Sequence, residues 1–163
     1  MPSLMRYINI VSRCASIWRS DKLEGTELGD QHYPYILIVC RHPGVSQDSI
    51  SRRLFINKSN VTRSLAYLEE HGFVTRERDP EDRRQTLVYP TEKALEILPQ
   101  VREIIRGWNA YITEGFTEEE MEMYLSMTER LATRAAEYAK LSSDAYTDLD
   151  GAIKPKKEES AHE

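Results

Sequence analysis

The sequence predicts a mainly α-helical protein that carries one small β-hairpin. Apolar residues recur at the 3.6-residue helical period over several long stretches. Two runs rich in β-forming residues, 73–78 and 84–89, lie on either side of the turn-forming run 79–82. The 163 residues suffice for one domain with a sizeable core, or for a small head with a dimerisation region.

The first predicted helix, 3–20, has apolar residues on two sides. The main stripe and the residues that widen it are Leu4, Ile8, Val11, Ala15 and Trp18, then Ile10, Cys14 and Ile17. A helix with two apolar sides usually contacts its own core and a partner. Residues 21–31 are polar and predict a loop, and a second helix follows from about Pro34 to the stop signal at Pro43 and Gly44.

The later helices have marked starts and ends. Ser46, Asn57 and Thr117 are predicted N-caps, and Glu120 completes a capping box with Thr117. The helix from Asn57 is expected to end near Gly72, because glycine readily adopts the left-handed conformation of a C-cap.

Helical spacing resumes after Thr91 and continues to about Ile112, where Pro99 predicts a kink or a break. A last helix runs to about Tyr138. From 142 to 163 the chain is polar and charged with few large apolar residues, which predicts a flexible tail.

The formal net charge of −5 is unevenly distributed. Segment 41–63 has five basic residues against one acidic residue, and segment 118–130 has the reverse. This pattern indicates a local basic footprint and argues against nonspecific nucleic-acid binding by the whole surface.

Cys14 and Cys40 are far apart and lie in no His/Cys cluster, so we expect no disulfide, metal site or other cofactor. Because we see neither a signal-peptide pattern nor a membrane-length apolar run, we expect a cytoplasmic protein without membrane contacts.

The helix over 58–71 separates into two faces. Val61, Leu65 and Leu68 fall together and define a buried side. The outward side of the first two turns, with its flanks, presents short hydrogen-bonding groups and one guanidinium: Ser59, Asn60, Thr62 and Arg63. These groups suit base reading in a DNA major groove, because Arg pairs with guanine, Asn with adenine, and Thr contacts the thymine methyl. Taken alone, the same pattern also fits a solvated amphipathic helix.

The preceding short helix, over 46–54, favours the DNA-binding alternative. It is joined to the next helix by Phe55 and Ile56, as in a helix-turn-helix. Basic and polar residues on this helix and at the start of the next suit contacts to the DNA backbone: Ser46, Arg52, Arg53 and Lys58.

The predicted hairpin has a tip with two arginines, which completes a winged helix-turn-helix. Asp82 is expected to brace the side chain of Arg84, and an extended arginine suits the strong negative potential of a narrow minor groove. Arg83 lies beside them, and Arg76 and Arg78 on the incoming strand are candidates for phosphate contacts. Outside this context, such a tip also fits a soluble turn.

The run DPEDRRQTLVYPTEKA resembles the wing and following helix start of the MarR family of bacterial transcriptional regulators. The run SQDSISRRLFINKSNVTRSLAYLEEHGFVTRE resembles the family's two DNA-contacting helices and first wing strand. The resemblance covers about residues 4–140. Pro90 stands where the family usually has Leu, and Ala94 where it usually has Gly, which puts the local helix start in doubt.

The resemblance implies a single domain over 1–141, with a winged-helix head at 33–90 and dimerisation helices at 3–20 and 91–140. It implies a homodimer that binds a pseudo-palindromic operator in double-stranded DNA, with recognition helices about one DNA turn apart. It also implies a repressor that a small-molecule effector or an oxidant releases from DNA.

Effector contacts can be suggested only by residue type: Arg13, Trp18, His32 and Tyr35. Each of them also fits packing or surface roles. Some family members sense hydroperoxides with a cysteine in the first helix, so Cys14 is a candidate redox sensor; a buried structural thiol is the alternative that we favour.

Two other classes of function are weighed against DNA reading. An enzyme is not indicated, because the sequence has no nucleophile elbow, phosphate-cradling glycine loop or metal-ligand spacing. A winged helix used only for protein interaction would have an apolar or acidic outer face on its second helix, which the face containing Asn60 and Arg63 is not.

Overall fold

The computed structural model describes residues 3–138 and shows a mainly helical chain with a small antiparallel sheet. The helices are α1 (Leu4–Lys22), α2 (Tyr33–Arg41), α3 (Gln47–Leu54), α4 (Lys58–Glu70), α5 (Glu92–Ile112) and α6 (Glu118–Tyr138). The strands are β1 (Val45–Ser46), β2 (Val74–Arg78) and β3 (Thr86–Pro90), and a single 3₁₀ turn, Asp30–His32, precedes α2. The predicted fold class is confirmed. The predicted tail over 142–163 lies outside the described residues.

The sheet has three strands in the order β1-β3-β2, one more than the predicted hairpin. In β1, Val45 pairs with Val88. The prediction missed β1 because two residues are too short to show an alternation of apolar and polar side chains. Gly44 allows this strand to form: its φ is +82°, and its N–H donates to the carbonyl of Val88 at 2.9 Å.

We call residues 33–90 the head, and its core is enclosed by one chain. Side chains with at most 1% of their surface exposed come from α2, α3, α4 and the sheet: Tyr35, Ile36, Val39, Ile50, Val61, Leu65, Leu68, Phe73, Val74 and Val88. Burial of each large apolar side chain contributes about 1.5–3 kcal/mol. The winged helix therefore rests on a core that needs no partner.

The predicted N-caps at Ser46, Asn57 and Thr117 and the predicted helix end near Gly72 are confirmed. Ser46 Oγ and Asn57 Oδ1 each accept the backbone N–H three residues on, at 3.2 and 2.9 Å. Thr117 and Glu120 form the reciprocal capping box, at 3.2 and 2.9 Å. Gly72, just past α4, has a φ of +72°. These bonds satisfy N–H groups that a helix start leaves without a partner.

The two departures from the family pattern leave the start of α5 intact. Pro90 ends β3 opposite Val74, and Thr91 then caps α5 by accepting the N–H of Ala94 at 3.4 Å. Ala94 is fully buried. Of the kink or break predicted at Pro99, the break does not occur, because α5 runs without interruption from Glu92 to Ile112; Pro99 is exposed on its surface.

We call α1, α5 and α6 the base. Trp18 fastens α1 to α5: its Nε1 donates to the carbonyl of Ile104 at 3.1 Å, and its ring stacks on Tyr111 with 5.7 Å between centroids. The outer sides of α1 and α6 remain apolar and uncovered by this chain: Leu4, Met5, Tyr7, Ile8, Ile10, Val11 and Ile17, then Met123, Tyr124, Leu125, Met127 and Leu131. Such a large apolar surface indicates an interface.

Candidate nucleic-acid interface

Helix α4 divides into the two faces that its sequence predicts. Val61, Leu65 and Leu68 are at most 1% exposed and pack into the head core. The four predicted base-reading residues are all exposed: Ser59, Asn60, Thr62 and Arg63. A packed inner face holds the helix in place, while its polar N-terminal half projects from the head.

The polar groups at the start of α4 bond to one another in the free chain. Asn57 Oδ1 accepts from Ser59 Oγ at 3.1 Å as well as from the helix backbone. Thr62 Oγ1 donates to the carbonyl of Lys58 at 2.9 Å, and the Arg63 guanidinium donates to Asn60 Oδ1. These side chains are thus oriented along the helix surface. Because their hydrogen bonds are exposed and therefore weak, hydrogen bonds to the edges of DNA bases can replace them.

Helix α3 places its basic groups beside this surface. Ser46 caps the helix, and Arg52 and Arg53 lie in its last turn. Lys58, at the start of α4, donates to the carboxylate of Asp48 at 2.7 Å. Phe55 joins the two helices with a φ of +55°, which makes the tight turn possible without glycine.

The tip of the wing is exposed, but its bracing differs from the prediction. Asp82 Oδ1 accepts the backbone N–H of Arg84 at 3.0 Å, and Oδ2 accepts from the Gln85 amide at 3.2 Å. Asp82 therefore braces the backbone of the tip rather than the Arg84 side chain. Arg83 and Arg84 are both exposed, and the Arg83 carbonyl accepts from Arg78 Nη1 at 3.1 Å.

Arg76 is not placed for the predicted phosphate contact. Its Nε donates to Glu69 Oε2 at 2.9 Å and its backbone N–H to Oε1 at 3.1 Å, so it fastens β2 to α4. The hydrogen bond from Arg76 lowers the pKa of the Glu69 carboxyl from its usual value. Sequence reasoning missed this pair because α4 and β2 contact only after the chain turns at Gly72.

The four predicted effector residues do not meet at one site. Tyr35 is 1% exposed and His32 is 4% exposed, so both serve packing, and a ligand could reach them only if the core opened. Trp18 is engaged with α5, as described above, and Arg13 lies exposed on α1.

The cysteines also differ from expectation. Cys14 is exposed on α1 in the single chain, whereas a buried thiol was the favoured alternative. Cys40 is the half-buried one, and burial raises its pKa to about 11, against a smaller opposing effect of Arg102. Cys40 therefore stays a protonated packing group at neutral pH.

Three residues missed by the sequence analysis lie where the head meets the base: Arg19, Tyr67 and Lys93. Within residues 3–138, Arg19 Nε and His32 Nδ1 are the buried side-chain polar atoms without a hydrogen-bond partner.

Lys93 borders an open cleft of about 470 Å³, lined by Gly25, Thr26, Glu27, Phe73, Lys93, Glu96, Ile97 and Gln100. No local motif marks these residues, because their surroundings come from segments distant in sequence.

Within the described residues 3–138, no group of three or more His, Cys, Asp and Glu side chains could hold a metal ion. Over the same part of the chain, no helix combines the length and apolarity that crossing a membrane requires.

A compact winged helix with an exposed polar recognition helix defines a DNA-binding protein, and comparisons with known proteins specify its family. The MarR family model matches residues 26–85. The crystal structure of MarR is similar, with 30% sequence identity and a TM-score of 0.75 over 85% of this chain and 94% of that chain. The HTH-type transcriptional regulator YybA of Bacillus subtilis strain 168 is 23% identical over 131 residues, 80% of this chain and 87% of that protein.

A structure of a MarR family regulator from Listeria monocytogenes, complexed with a 26-mer DNA, has the same fold. Its TM-score is 0.79 at 22% identity, over 84% of this chain and 91% of that chain. The chain belongs to the MarR family of transcriptional regulators, which are DNA-binding winged-helix proteins and not enzymes.

Proposed function

We propose that this regulator acts as a cytoplasmic homodimer that binds a pseudo-palindromic operator and represses transcription until an effector releases it. The observation that carries the proposal is the recognition helix α4, whose inner face is buried in the head while its polar N-terminal half is exposed. An exposed helix start with short polar side chains has the shape and chemistry that a major groove accepts.

In this proposal, α4 reads bases. Arg63 donates to guanine and Asn60 pairs with adenine, each after exchanging the Asn60–Arg63 hydrogen bond of the free chain. Ser59 and Thr62 fill the remaining contacts at the groove floor, where the Thr62 methyl suits thymine. Since the lost bonds are exposed, the exchange costs little.

Helix α3 and its surroundings hold the DNA backbone. In this proposal the phosphate contacts come from four residues of α3 and its flanks: Ser46, Arg52, Arg53 and Lys58. A small hollow of about 50 Å³ lies where the start of α3 meets the wing, lined by Ser46, Gln47, Asp48, Arg84, Gln85 and Thr86. A phosphate oxygen fits that hollow, which would fix the register of α4 in the groove.

The wing extends toward the neighbouring minor groove. Asp82 fixes the backbone of the tip, so that Arg83 and Arg84 project from a defined loop. A narrow minor groove concentrates negative potential and favours an inserted arginine.

The proposed dimer forms through the base. The uncovered apolar residues of α1 and α6 are numerous and continuous along each helix, and a second copy of the chain is the partner that the family resemblance implies. A two-fold interface of this kind presents two α4 helices to one face of DNA.

Effector binding is proposed at the junction of head and base. The open cleft beside Lys93 has the size of a small-molecule site, and its walls come from the α1–α2 connection, the start of β2 and α5. A ligand there would contact base and head together, and it could therefore shift their relative orientation.

Arg63 offers the most direct test of base reading. We expect Arg63→Ala to weaken binding about tenfold to a hundredfold per half-site and to relax base preference at one position in each half-site, because a bidentate Arg–guanine pair contributes about 1–3 kcal/mol. The measurement is the affinity for every single-base variant of the operator, obtained by titration of labelled duplexes.

The control is Arg106→Ala, which removes an equal charge from an exposed site on α5. It should leave the preference profile unchanged. If Arg63→Ala also leaves the profile unchanged, Arg63 does not read a base.

A further inference from the structure

Tyr67 lies in the third turn of α4 and links this helix to the opposite side of the molecule. Its hydroxyl donates to the carbonyl of Glu27 at 3.0 Å, across 40 residues of sequence. Glu27 belongs to the connection between α1 and α2, so one side chain of the recognition helix bonds directly to the segment leaving the base.

Two imidazole rings stack on the Tyr67 ring. His32 lies 4.4 Å from it, centroid to centroid, with 15° between the planes, and His71 lies 3.9 Å from it at 23°. His32 is 4% exposed and comes from the turn before α2. Stacked aromatic pairs at such distances stabilise the fold by more than the burial of their surface alone. The two imidazoles also restrict the orientation of the Tyr67 ring that lies between them.

The end of α4 is held a second time by Lys93 of α5. Its Nζ donates to the carbonyl of His71 at 2.8 Å and forms an ion pair with the Glu27 carboxylate. The same ammonium lies 4.5 Å from the centroid of the Phe73 ring. The α1–α2 connection, the start of α5 and the end of α4 thus meet at one cluster, which consists of Glu27, His32, Tyr67, His71 and Lys93.

The turn that carries His32 is itself tied to the base. Asp30, two residues earlier, accepts a hydrogen bond from Ser16 Oγ and lies 3.9 Å from Arg19 Nη2, and both partners are in α1. Asp30 therefore connects α1 to the turn whose His32 ring stacks on Tyr67.

We propose that Tyr67 is a positioning residue for DNA reading, which fixes the tilt of the recognition helix relative to the base and thereby the separation of the two recognition helices in the dimer. The inference rests on the proposed dimeric DNA reader. Ser59 lies eight residues from Tyr67, about 12 Å along the helix, so a tilt of about 5° at Tyr67 displaces the base-reading end by about 1 Å. A displacement of that size is large compared with the tolerance of base-edge hydrogen bonds.

The test measures tolerance of half-site spacing, which a merely stabilising residue would not alter. The operator is first obtained by selecting bound duplexes from a random DNA pool. Affinity is then determined for three duplexes, in which the two half-sites have the selected spacing, one base pair less, or one base pair more. Tyr67→Leu, which removes the stacked ring and the hydroxyl, should lose about tenfold in affinity on the selected spacing and at most about twofold on the altered spacings. The ratio between selected and altered spacing therefore contracts about fivefold.

Tyr67→Phe keeps the stacked ring and removes only the hydrogen bond to Glu27, so its spacing ratio should contract by about twofold. The matched control is Ile50→Val, a small change in the head core on α3, a helix that carries no member of this cluster. It should lower stability while the spacing ratio stays that of the wild type.

Equal losses on all three duplexes for the folded Tyr67 variants would overturn the inference, and Tyr67→Phe decides the question if Tyr67→Leu does not fold. A wild-type protein that shows no spacing preference at all would instead overturn the paired reading on which the inference rests. The two failures are distinguishable, because the first appears only in the variants and the second already in the wild type.

Discussion

The head and the base differ in how far their apolar side chains are buried within one chain. In the head, Leu65 of α4 is fully buried within one chain. In the base, Leu125 of α6 is 59% exposed, and its apolar neighbours on α6 are exposed with it. The head is therefore complete as a single chain, and the exposed apolar side of the base supports the proposal that a second chain covers it.

The two regions also differ in how their charged residues are distributed. The segment 41–63, in the head, has five basic residues against one acidic residue, and the start of α6 carries Glu118, Glu119 and Glu120 in one turn. The acidic start of α6 disfavours approach to DNA, whereas the basic segment 41–63 favours it. An overall charge of −5 is thus compatible with DNA binding, because only the head needs to contact phosphates.

The largest expected effect comes from placing a charge on the uncovered side of the base. Leu125→Glu should dissociate the dimer and lower operator affinity by at least about a hundredfold, since an unpaired carboxylate at an interface costs several kcal/mol and the two half-sites are then bound independently. Sedimentation equilibrium gives the mass, and titration of labelled operator gives the affinity.

Glu129→Gln, an uncharged substitution at an exposed site on the same helix, serves as the control and should remain dimeric. A Leu125→Glu protein that is still dimeric at micromolar concentration would show that α6 does not form the interface.

The next effect contrasts one leucine in each region. Leu65→Ala should lower the free energy of unfolding by about 2–5 kcal/mol, because the truncated side chain leaves a cavity in the head core. Leu125→Ala should instead weaken the dimer, so that its unfolding midpoint loses its dependence on protein concentration in a range where the wild type and Leu65→Ala still show one, since its contacts are between chains. Urea titrations at two protein concentrations separate the two behaviours, and equal concentration dependence in both variants would remove the distinction between head and base.

A smaller effect concerns the wing within the head. Arg84→Ala should weaken operator binding about tenfold per half-site and reduce the slope of log affinity against log salt concentration by about two for the dimer, because one DNA contact is lost in each half-site. Asp82→Ala should give a smaller loss, since it loosens the backbone of the tip but leaves both arginines in place. Normal affinity in Arg84→Ala would exclude the wing from DNA binding.

The smallest effect is a pH dependence where the head meets the base. Burial lowers the pKa of the His32 imidazole, which the Asp30 carboxylate opposes and the charge of His71 reinforces. The unfolded chain therefore binds the proton more readily than the folded chain, and stability is full above the ordinary imidazole pKa of about 6.5 and declines as the pH falls below it. Urea midpoints between pH 7.5 and 5.5 should show this decline in the wild type and a flatter profile in His32→Gln; parallel profiles would contradict it.

Much of the fold could be predicted from the sequence because its signals are local. The caps at Ser46 and Asn57 and the apolar side of α4 depend on residues within a few positions of one another, and all are present in the structure. Of the kink or break predicted at Pro99, the break is absent, because a proline on the exposed side of a helix need not interrupt it.

In the candidate site, too, the features encoded by neighbouring residues could be predicted, and those that join distant segments could not. The outward position of Asn60 and Arg63 follows from helical periodicity alone, so the sequence was sufficient for it. The strand β1, the Glu69–Arg76 pair and the cluster around Tyr67 join segments that are distant in the chain, and no local pattern encodes such contacts. Tyr35 was suggested as an effector contact by residue type alone, and residue type does not predict that its side chain is buried in the head core.

Selection of bound duplexes from a random DNA pool, followed by measurement of the number of chains per enriched duplex, tests the central claim most directly. The account predicts an inverted repeat whose half-sites are about ten base pairs apart, bound by two chains. Enrichment of a single half-site bound by one chain, or no enrichment of any sequence, would contradict it.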